Sequence, residues 1–236
     1  MASTTRILII VPALNESGSI QHVIADIRQH VPSADVVVIN DGSSDNTSEL
    51  ARQGGAVVLD MPYNVGIGAA VQTGFLYAAQ HQYDIAIQTD GDGQHPPSEL
   101  PHLIEQLLQG GADMVIGSRF LEDRGYQQTL SRRVGGWILA RILSASTRSR
   151  ITDPTSGFRA SSKRAIALCS KLYPHDYPEP EAIIILHRAG LTIQEIPVTM
   201  KQRDSGRSSI TFFRSGYYMV KVILAILINL LRSQRI

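Results

Sequence analysis

Short apolar runs alternate with helical patterns through the first half of the chain, and this alternation restricts the fold more than any other feature. Arg6–Val11 is an almost unbroken apolar run ended by Pro12, as in a strand buried on both faces. Ile20–His30 then sets Ile20, Val23, Ile24 and Ile27 at helical spacing. Further strands are expected at Asp35–Ile39, Ala56–Leu59, Asp84–Gln88 and Met114–Ile116. Helices are expected from Asp45, where capping residues cluster, over Gly68–Gln80, and over Pro97–Leu108 with proline near the first turn. Repeated β-α units of this kind predict an α/β fold, with a mostly parallel central sheet flanked by helices.

The second half is less regular. Helices are expected over Leu130–Ser146, Ser162–Lys171 and Glu181–Ala189, and a strand over Thr192–Val198. Lys201–Ser209 is polar and reads as a mobile loop. Val220–Leu231 is almost wholly apolar, yet shorter than the roughly 20 residues a bilayer demands. Arg232 and Arg235 follow it. This segment reads as a helix lying on a membrane or packing against a membrane protein, with burial in a homo-oligomer or core as the alternative. The organisation expected is a domain over residues 1–210 and a helical appendage over 211–236.

The 236 residues suffice for one large α/β domain. A formal net charge of +1 argues against a broad nucleic-acid-binding surface. The single cysteine, Cys169, sits in an apolar helical pattern and reads as a buried thiol. The N-terminus runs directly into a strand, so a secretory leader is not expected and a cytoplasmic location is.

Polar clusters follow three of the expected strands. They are Pro12, Ala13, Leu14, Asn15 and Glu16 after the first, Asn40–Asp45 after the second, and Thr89–Gln94 after the fourth. In open α/β sheets, ligands bind beyond the carboxyl ends of the strands. The first cluster lacks the glycine-rich turn of dinucleotide-binding folds, which sets a dehydrogenase aside. It also lacks the glycine-rich, basic loop of a nucleotidyltransferase. Asp90 and Asp92 flank Gly91. Two carboxylates this close repel unless a cation lies between them, and a hard divalent ion, Mg²⁺ or Mn²⁺, takes oxygen ligands shared with phosphates. Gln94 offers a third oxygen. The alternative is a solvated turn, which the neighbouring clusters on the same rim argue against.

The stretches Val11–Glu16, Val38–Asp45, Asn64–Ala70, Thr89–Pro97 and Gly117–Arg119 together resemble the inverting glycosyltransferases of family 2, which have the GT-A (Rossmann-like) fold. Within that family the chain is most similar to the dolichyl- and polyprenyl-phosphate sugar synthases. The resemblance implies that Pro12–Glu16 and Asp41 hold the nucleobase and ribose of a UDP- or GDP-linked sugar. It implies that Gly66 and Gly91 belong to donor-facing loops, and that Asp90, Asp92 and Gln94 bind the metal and, through it, the diphosphate. Arg119, joined by Arg203 from the polar loop, would face the phosphates. Relatives often carry a basic residue where this chain has Ile67. The acceptor implied is a polyprenyl phosphate, at the inner face of a membrane.

Two alternatives stay open: transfer to a sugar hydroxyl of a polysaccharide or cell-surface glycan, and an inactive nucleotide-binding scaffold. An ionised lipid phosphate attacks without losing a proton, whereas a hydroxyl needs a carboxylate base. Asp153, Glu179 and Glu181 are the base candidates, with Glu181 preferred. Arg132, Arg133, Arg159, Arg203 and Arg207 are candidate partners for a lipid phosphate. His95, before Pro96, reads as an anchor for its turn.

Overall fold

A computed structural model describes residues 5–122, 130–200, 221 and 224. Among these residues seven strands form one sheet: β1 (Ile7–Ala13), β2 (Asp35–Asn40), β3 (Val57–Asp60), β4 (Ile85–Gln88), β5 (Met114–Ser118), β6 (Arg159–Ser162) and β7 (Ile193–Pro197). The helices are α1 (Ile20–His30), α2 (Thr47–Gln53), α3 (Ile67–Gln80), α4 (Leu100–Leu108), α5 (Leu130–Thr147), α6 (Lys163–Cys169) and α7 (Pro178–Arg188). A 3₁₀ turn at Pro97–Glu99 leads into α4. The order across the sheet is β3-β2-β1-β4-β6-β5-β7.

The apolar run of β1 is buried along its whole length because helices cover both faces. Leu8 and Ile10 join one core with Phe75 of α3, Leu139 and Leu143 of α5, and Ile183 of α7. Ile7, Ile9 and Val11 point the other way and pack with Val23, Ile24 and Ile27 of α1 and Leu103 of α4. Two-residue alternation thus splits one strand between two cores. Helix α3 lies close on β1: a Cβ on Gly74 would stand 2.3 Å from the Ile10 side chain, so glycine sets this approach. Cys169 is buried and free, as expected.

Most expected elements are present within a residue or two of their ends. β6 is the exception. It runs antiparallel between β4 and β5, pairing Gln88 with Arg159 and Ile116 with Arg159, and so makes the mostly parallel sheet mixed. Its four residues carry no alternation that would mark a strand; its neighbours impose the extended backbone. Arg159 was expected in a loop as a phosphate partner. It is instead 1% exposed, and its guanidinium donates to the carbonyls of Ser156, Glu179 and Pro154. α7 begins at Pro178, one turn before its expected start, so Glu179 and Glu181 both lie in its first turn.

The polar loop at 201–209, with Arg203 and Arg207, lies outside the described residues, as does the side chain of Arg132. Of the apolar C-terminal run only Lys221 and Leu224 are described, both exposed. No described helix is long and apolar enough to cross a membrane.

Candidate active site

The chain winds from β1 outward through β2 to β3, then returns to place β4 on the other side of β1. The crevice between the carboxyl ends of β1 and β4 is therefore a topological switch point, where open α/β sheets bind ligands. The three polar clusters follow the adjacent strands β2, β1 and β4, so the fold brings them onto one rim.

Hydrogen bonds stitch the first two clusters together. Asn15 adopts a left-handed backbone (φ 55°), which asparagine tolerates better than most residues. Its N–H donates to Ser43 Oγ at 2.9 Å, and its Oδ1 accepts from the Ser44 N–H at 2.8 Å. The Glu16 N–H donates to Thr47 Oγ1 at 2.8 Å and the Ser17 N–H to Asp45 Oδ2 at 3.1 Å. Burial pushes the Asp45 carboxyl up, but the hydrogen bonds from Thr47 and Ser17 outweigh it and hold the group down at about 2. Asp45 is thus an ionised tie between the loops.

Asp41 is buried, and its oxygens accept from the N–H groups of Val65 (2.7 Å) and Gly66 (3.1 Å). In this structure it holds the 64–66 loop against the rim. Gly42 makes that approach feasible. Its φ is +72°, and a Cβ there would lie 2.6 Å from the Tyr63 backbone. Gly66 also has positive φ, at the start of α3.

The turn after β4 is anchored from both sides. Ser19 Oγ, at the start of α1, donates to the Gly91 carbonyl at 2.7 Å. An added Cβ on Gly91 would come within 3.4 Å of Ala13 and the Pro12 carbonyl. The Asp90 N–H donates to His95 Nδ1 at 3.0 Å, so the remaining ring proton sits on Nε2, which lies 3.6 Å from Asp90 Oδ2. Burial lowers the His95 pKa to about 4, and the ring stacks on Phe158 at 4.9 Å. A neutral, packed imidazole is the anchor the sequence suggested. Asp92 Oδ1 accepts from the Gln94 N–H at 3.0 Å, and the Asp90 side chain is 38% exposed. Beneath the turn, Gln88 Nε2 and Thr89 Oγ1 are buried with no hydrogen-bond partner among the described residues.

The donor set decides which metal suits this turn. No group of three or more His, Cys, Asp or Glu among the described residues is placed to cage an ion. Two carboxylates on one partly open turn instead suit a hard ion that takes its other oxygens from a phosphate and water, as Mg²⁺ and Mn²⁺ do.

Arg119 follows β5. Its Nε donates to Asp153 Oδ2 at 2.6 Å, its Nη2 to Asp153 Oδ1 at 2.7 Å and to Thr155 Oγ1 at 2.9 Å, and its backbone N–H to Asp153 Oδ2 at 3.0 Å. Asp153 has no solvent exposure. A carboxylate filled in this way on both oxygens positions an arginine better than it removes a proton. Gly157, in the same loop, faces the metal-suited turn: a Cβ there would lie 3.4 Å from Asp90 Oδ1. Glu179 is half-buried. Burial pushes its carboxyl up, the Arg159 charge pulls it back, and the Asp90 charge pushes it further up. Glu181, the base the sequence pattern favours, is its half-buried neighbour on the same turn. Glu195, unmarked in the sequence, carries the loop beneath Asp153 on its carboxylate. A lone glutamate in a short strand gives no signal of such a role.

Beside Arg119, a groove of about 1170 Å³ runs along α5. Among its described lining residues, Arg119, Arg133, Arg141, Arg148 and Arg150 face a single acidic residue, Glu122. Trp137 is 60% exposed on its wall and carries the Arg141 guanidinium 5.1 Å from its ring centroid.

Known proteins match this chain over most of its length. It is 32% identical to the undecaprenyl-phosphate mannosyltransferase of Micrococcus luteus, over 92% of each chain. It is 28% identical to the UDP-N-acetylglucosamine–dolichyl-phosphate N-acetylglucosaminyltransferase of Methanococcus voltae, over 81% of this chain and 84% of that one. Among solved structures, glucosyl-3-phosphoglycerate synthase of Mycobacterium tuberculosis, crystallised with Mn²⁺, UDP and phosphoglyceric acid, superposes with a TM-score of 0.74 and 25% identity. That match covers 98% of this chain and 80% of the other. The profile of the domain described as Glycosyl transferase family 2 matches residues 8–167. The chain belongs to glycosyl transferase family 2 and is a glycosyltransferase.

Proposed function

We propose that this enzyme moves a sugar, with inversion, from a nucleoside diphosphate to a polyprenyl phosphate at a membrane face. One observation carries the reading: the Asp90–Asp92 turn, with the rim loops on one side, lies across the Asp90–Gly157 approach from a loop that holds Arg119 over an arginine-rich groove. Donor and acceptor sites would then adjoin. The names of the relatives support a lipid-phosphate acceptor, and their different sugars leave the sugar to experiment.

In this reading the Pro12–Glu16 and Asn40–Asp45 loops bind the nucleoside, and Asp90 and Asp92, with Gln94, hold Mg²⁺ or Mn²⁺. The bound ion supplies a Lewis acid for charge gathering on the leaving diphosphate. An ionised acceptor oxygen attacks the anomeric carbon from the face opposite the diphosphate. The carbon–oxygen bond to the diphosphate breaks, and the nucleoside diphosphate leaves with the electron pair. No proton moves, so no base is required. Arg119, fixed by Asp153 and Thr155, presents positive charge that needs no reorganisation. If the acceptor were a sugar hydroxyl instead, Glu179 would be the base. Burial raises its proton affinity, whereas both oxygens of Asp153 are already occupied by Arg119.

Labelled UDP- and GDP-sugars offered with polyprenyl phosphate in detergent test this reading. Label is expected in the organic phase. Label confined to water-soluble glycan would reject the lipid acceptor.

Membrane contact would run through α5 as well as the C-terminal apolar run. Val134 (50% exposed) lies one helical turn before Trp137 and Ile138 (38%), on a face bordered by Arg133 and Arg141. Aromatic and aliphatic side chains flanked by arginine suit an anionic bilayer surface. Trp137→Ser is expected to weaken binding to vesicles containing anionic lipid roughly tenfold, since losing about 1.4 kcal/mol of contact corresponds to that factor. Flotation unchanged by the substitution would place membrane contact elsewhere.

A further inference from the structure

Glu195 lies on β7, paired beside Ile116 of β5, the strand that leads into Arg119. Its carboxylate nevertheless gathers four contacts from the loop that carries Asp153. Oε1 accepts from the N–H groups of Thr152 (3.0 Å) and Asp153 (2.9 Å). Oε2 accepts from the Thr152 N–H (2.8 Å) and the Thr152 hydroxyl (2.6 Å). With that hydroxyl proton given to Glu195, the 2.7 Å contact between Ser118 Oγ and Thr152 Oγ1 must have serine as donor. Ser118 Oγ in turn accepts from the Phe120 N–H at 3.2 Å. One carboxylate therefore orders both segments that flank Arg119: residues 118–120, to which it belongs, and residues 152–153, which clamp it.

We infer that Glu195 is a positioning residue for the transfer reaction, acting through Asp153 to fix the direction of the Arg119 guanidinium. Two successive backbone N–H groups converging on a carboxylate set the peptide orientation at Asp153 and hence the angle at which its oxygens meet Arg119. Glutamine cannot replace this. Every partner of the carboxylate is a donor, and an amide offers one acceptor oxygen and one NH₂ that would face those donors. The supporting shell of a charged group is where small displacements weaken catalysis without removing any group that touches substrate.

The inference rests on the reading that Arg119 faces a phosphate, and a double-variant cycle separates the two. Arg119→Lys, Glu195→Gln and the combined variant are compared in kcat and KM for each substrate, with melting temperature as the control for folding. Arg119→Lys alone is expected to lower kcat/KM at least tenfold. Glu195→Gln is expected to lower it about tenfold, in the same kinetic parameter. The combined variant should fall no more than about twofold below Arg119→Lys. If Glu195→Gln does not fold, Glu195→Asp, which keeps the charge and shortens the reach by one methylene, replaces it in the same cycle. Losses that multiply, or a Glu195 variant with wild-type kinetics beside an impaired Arg119→Lys, overturn the inference. An Arg119→Lys enzyme with unchanged kinetics overturns the reading of Arg119 itself.

Discussion

Asp92→Asn is expected to lower kcat/KM by about 10³-fold while leaving the melting temperature nearly unchanged. The substitution keeps the shape, and the asparagine oxygen can still accept the Gln94 N–H that Asp92 Oδ1 accepts at 3.0 Å. The local turn should survive. What disappears is half of the negative charge that would offset a divalent cation at this rim. Charge stabilisation of a leaving diphosphate is worth several kcal/mol, and about 4 kcal/mol corresponds to a thousandfold. Steady-state kinetics with saturating Mn²⁺ and a thermal melt of the same sample check both halves. An Asp92→Asn enzyme with full activity would remove the turn from the reaction.

Asp153→Asn should act on stability as much as on rate. The wild-type carboxylate has no exposure and is met by two guanidinium donors and a backbone N–H. An amide would present an NH₂ to one of those donors and leave a mostly buried arginine short of its counter-charge; the Arg119 side chain is 16% exposed. Removing one partner of such a pair costs about 3–5 kcal/mol. For a chain of this size that corresponds to a fall of roughly 10 °C in Tm. Transfer should drop at least tenfold at temperatures where the variant remains folded. A melting curve that overlays the wild type would show that the pair contributes nothing to the fold.

These two carboxylates also mark how far the sequence could be read. The Asp90–Asp92 turn was legible because its chemistry is local: two acids and two glycines after a buried strand can do few other things. The parallel part of the sheet was legible because runs such as Arg6–Val11 leave no polar face, which requires cover on both sides. Asp153 was legible as a candidate base but not as the clamp on Arg119, 34 residues away in sequence. Arg159 looked like an available cation because β6 has no strand pattern of its own. The strand exists because β4 and β5 each offer it an edge, and the arginine is consumed by three backbone carbonyls. Glu195 was silent for the same reason: its partners belong to a loop 42 and 43 residues earlier. Local chemistry could be read directly, whereas pairings made by the tertiary fold could not.

If the Asp90–Asp92 turn holds the donor diphosphate through a divalent ion, nucleotide binding must depend on that ion. Calorimetric titration of UDP and GDP into the protein, with and without Mn²⁺, measures this dependence. One nucleotide is expected to bind in the presence of Mn²⁺, to lose at least tenfold in affinity with chelator, and to show no Mn²⁺ dependence in Asp92→Asn. Binding of equal strength with and without the ion, or Mn²⁺-dependent binding that survives in Asp92→Asn, would contradict it.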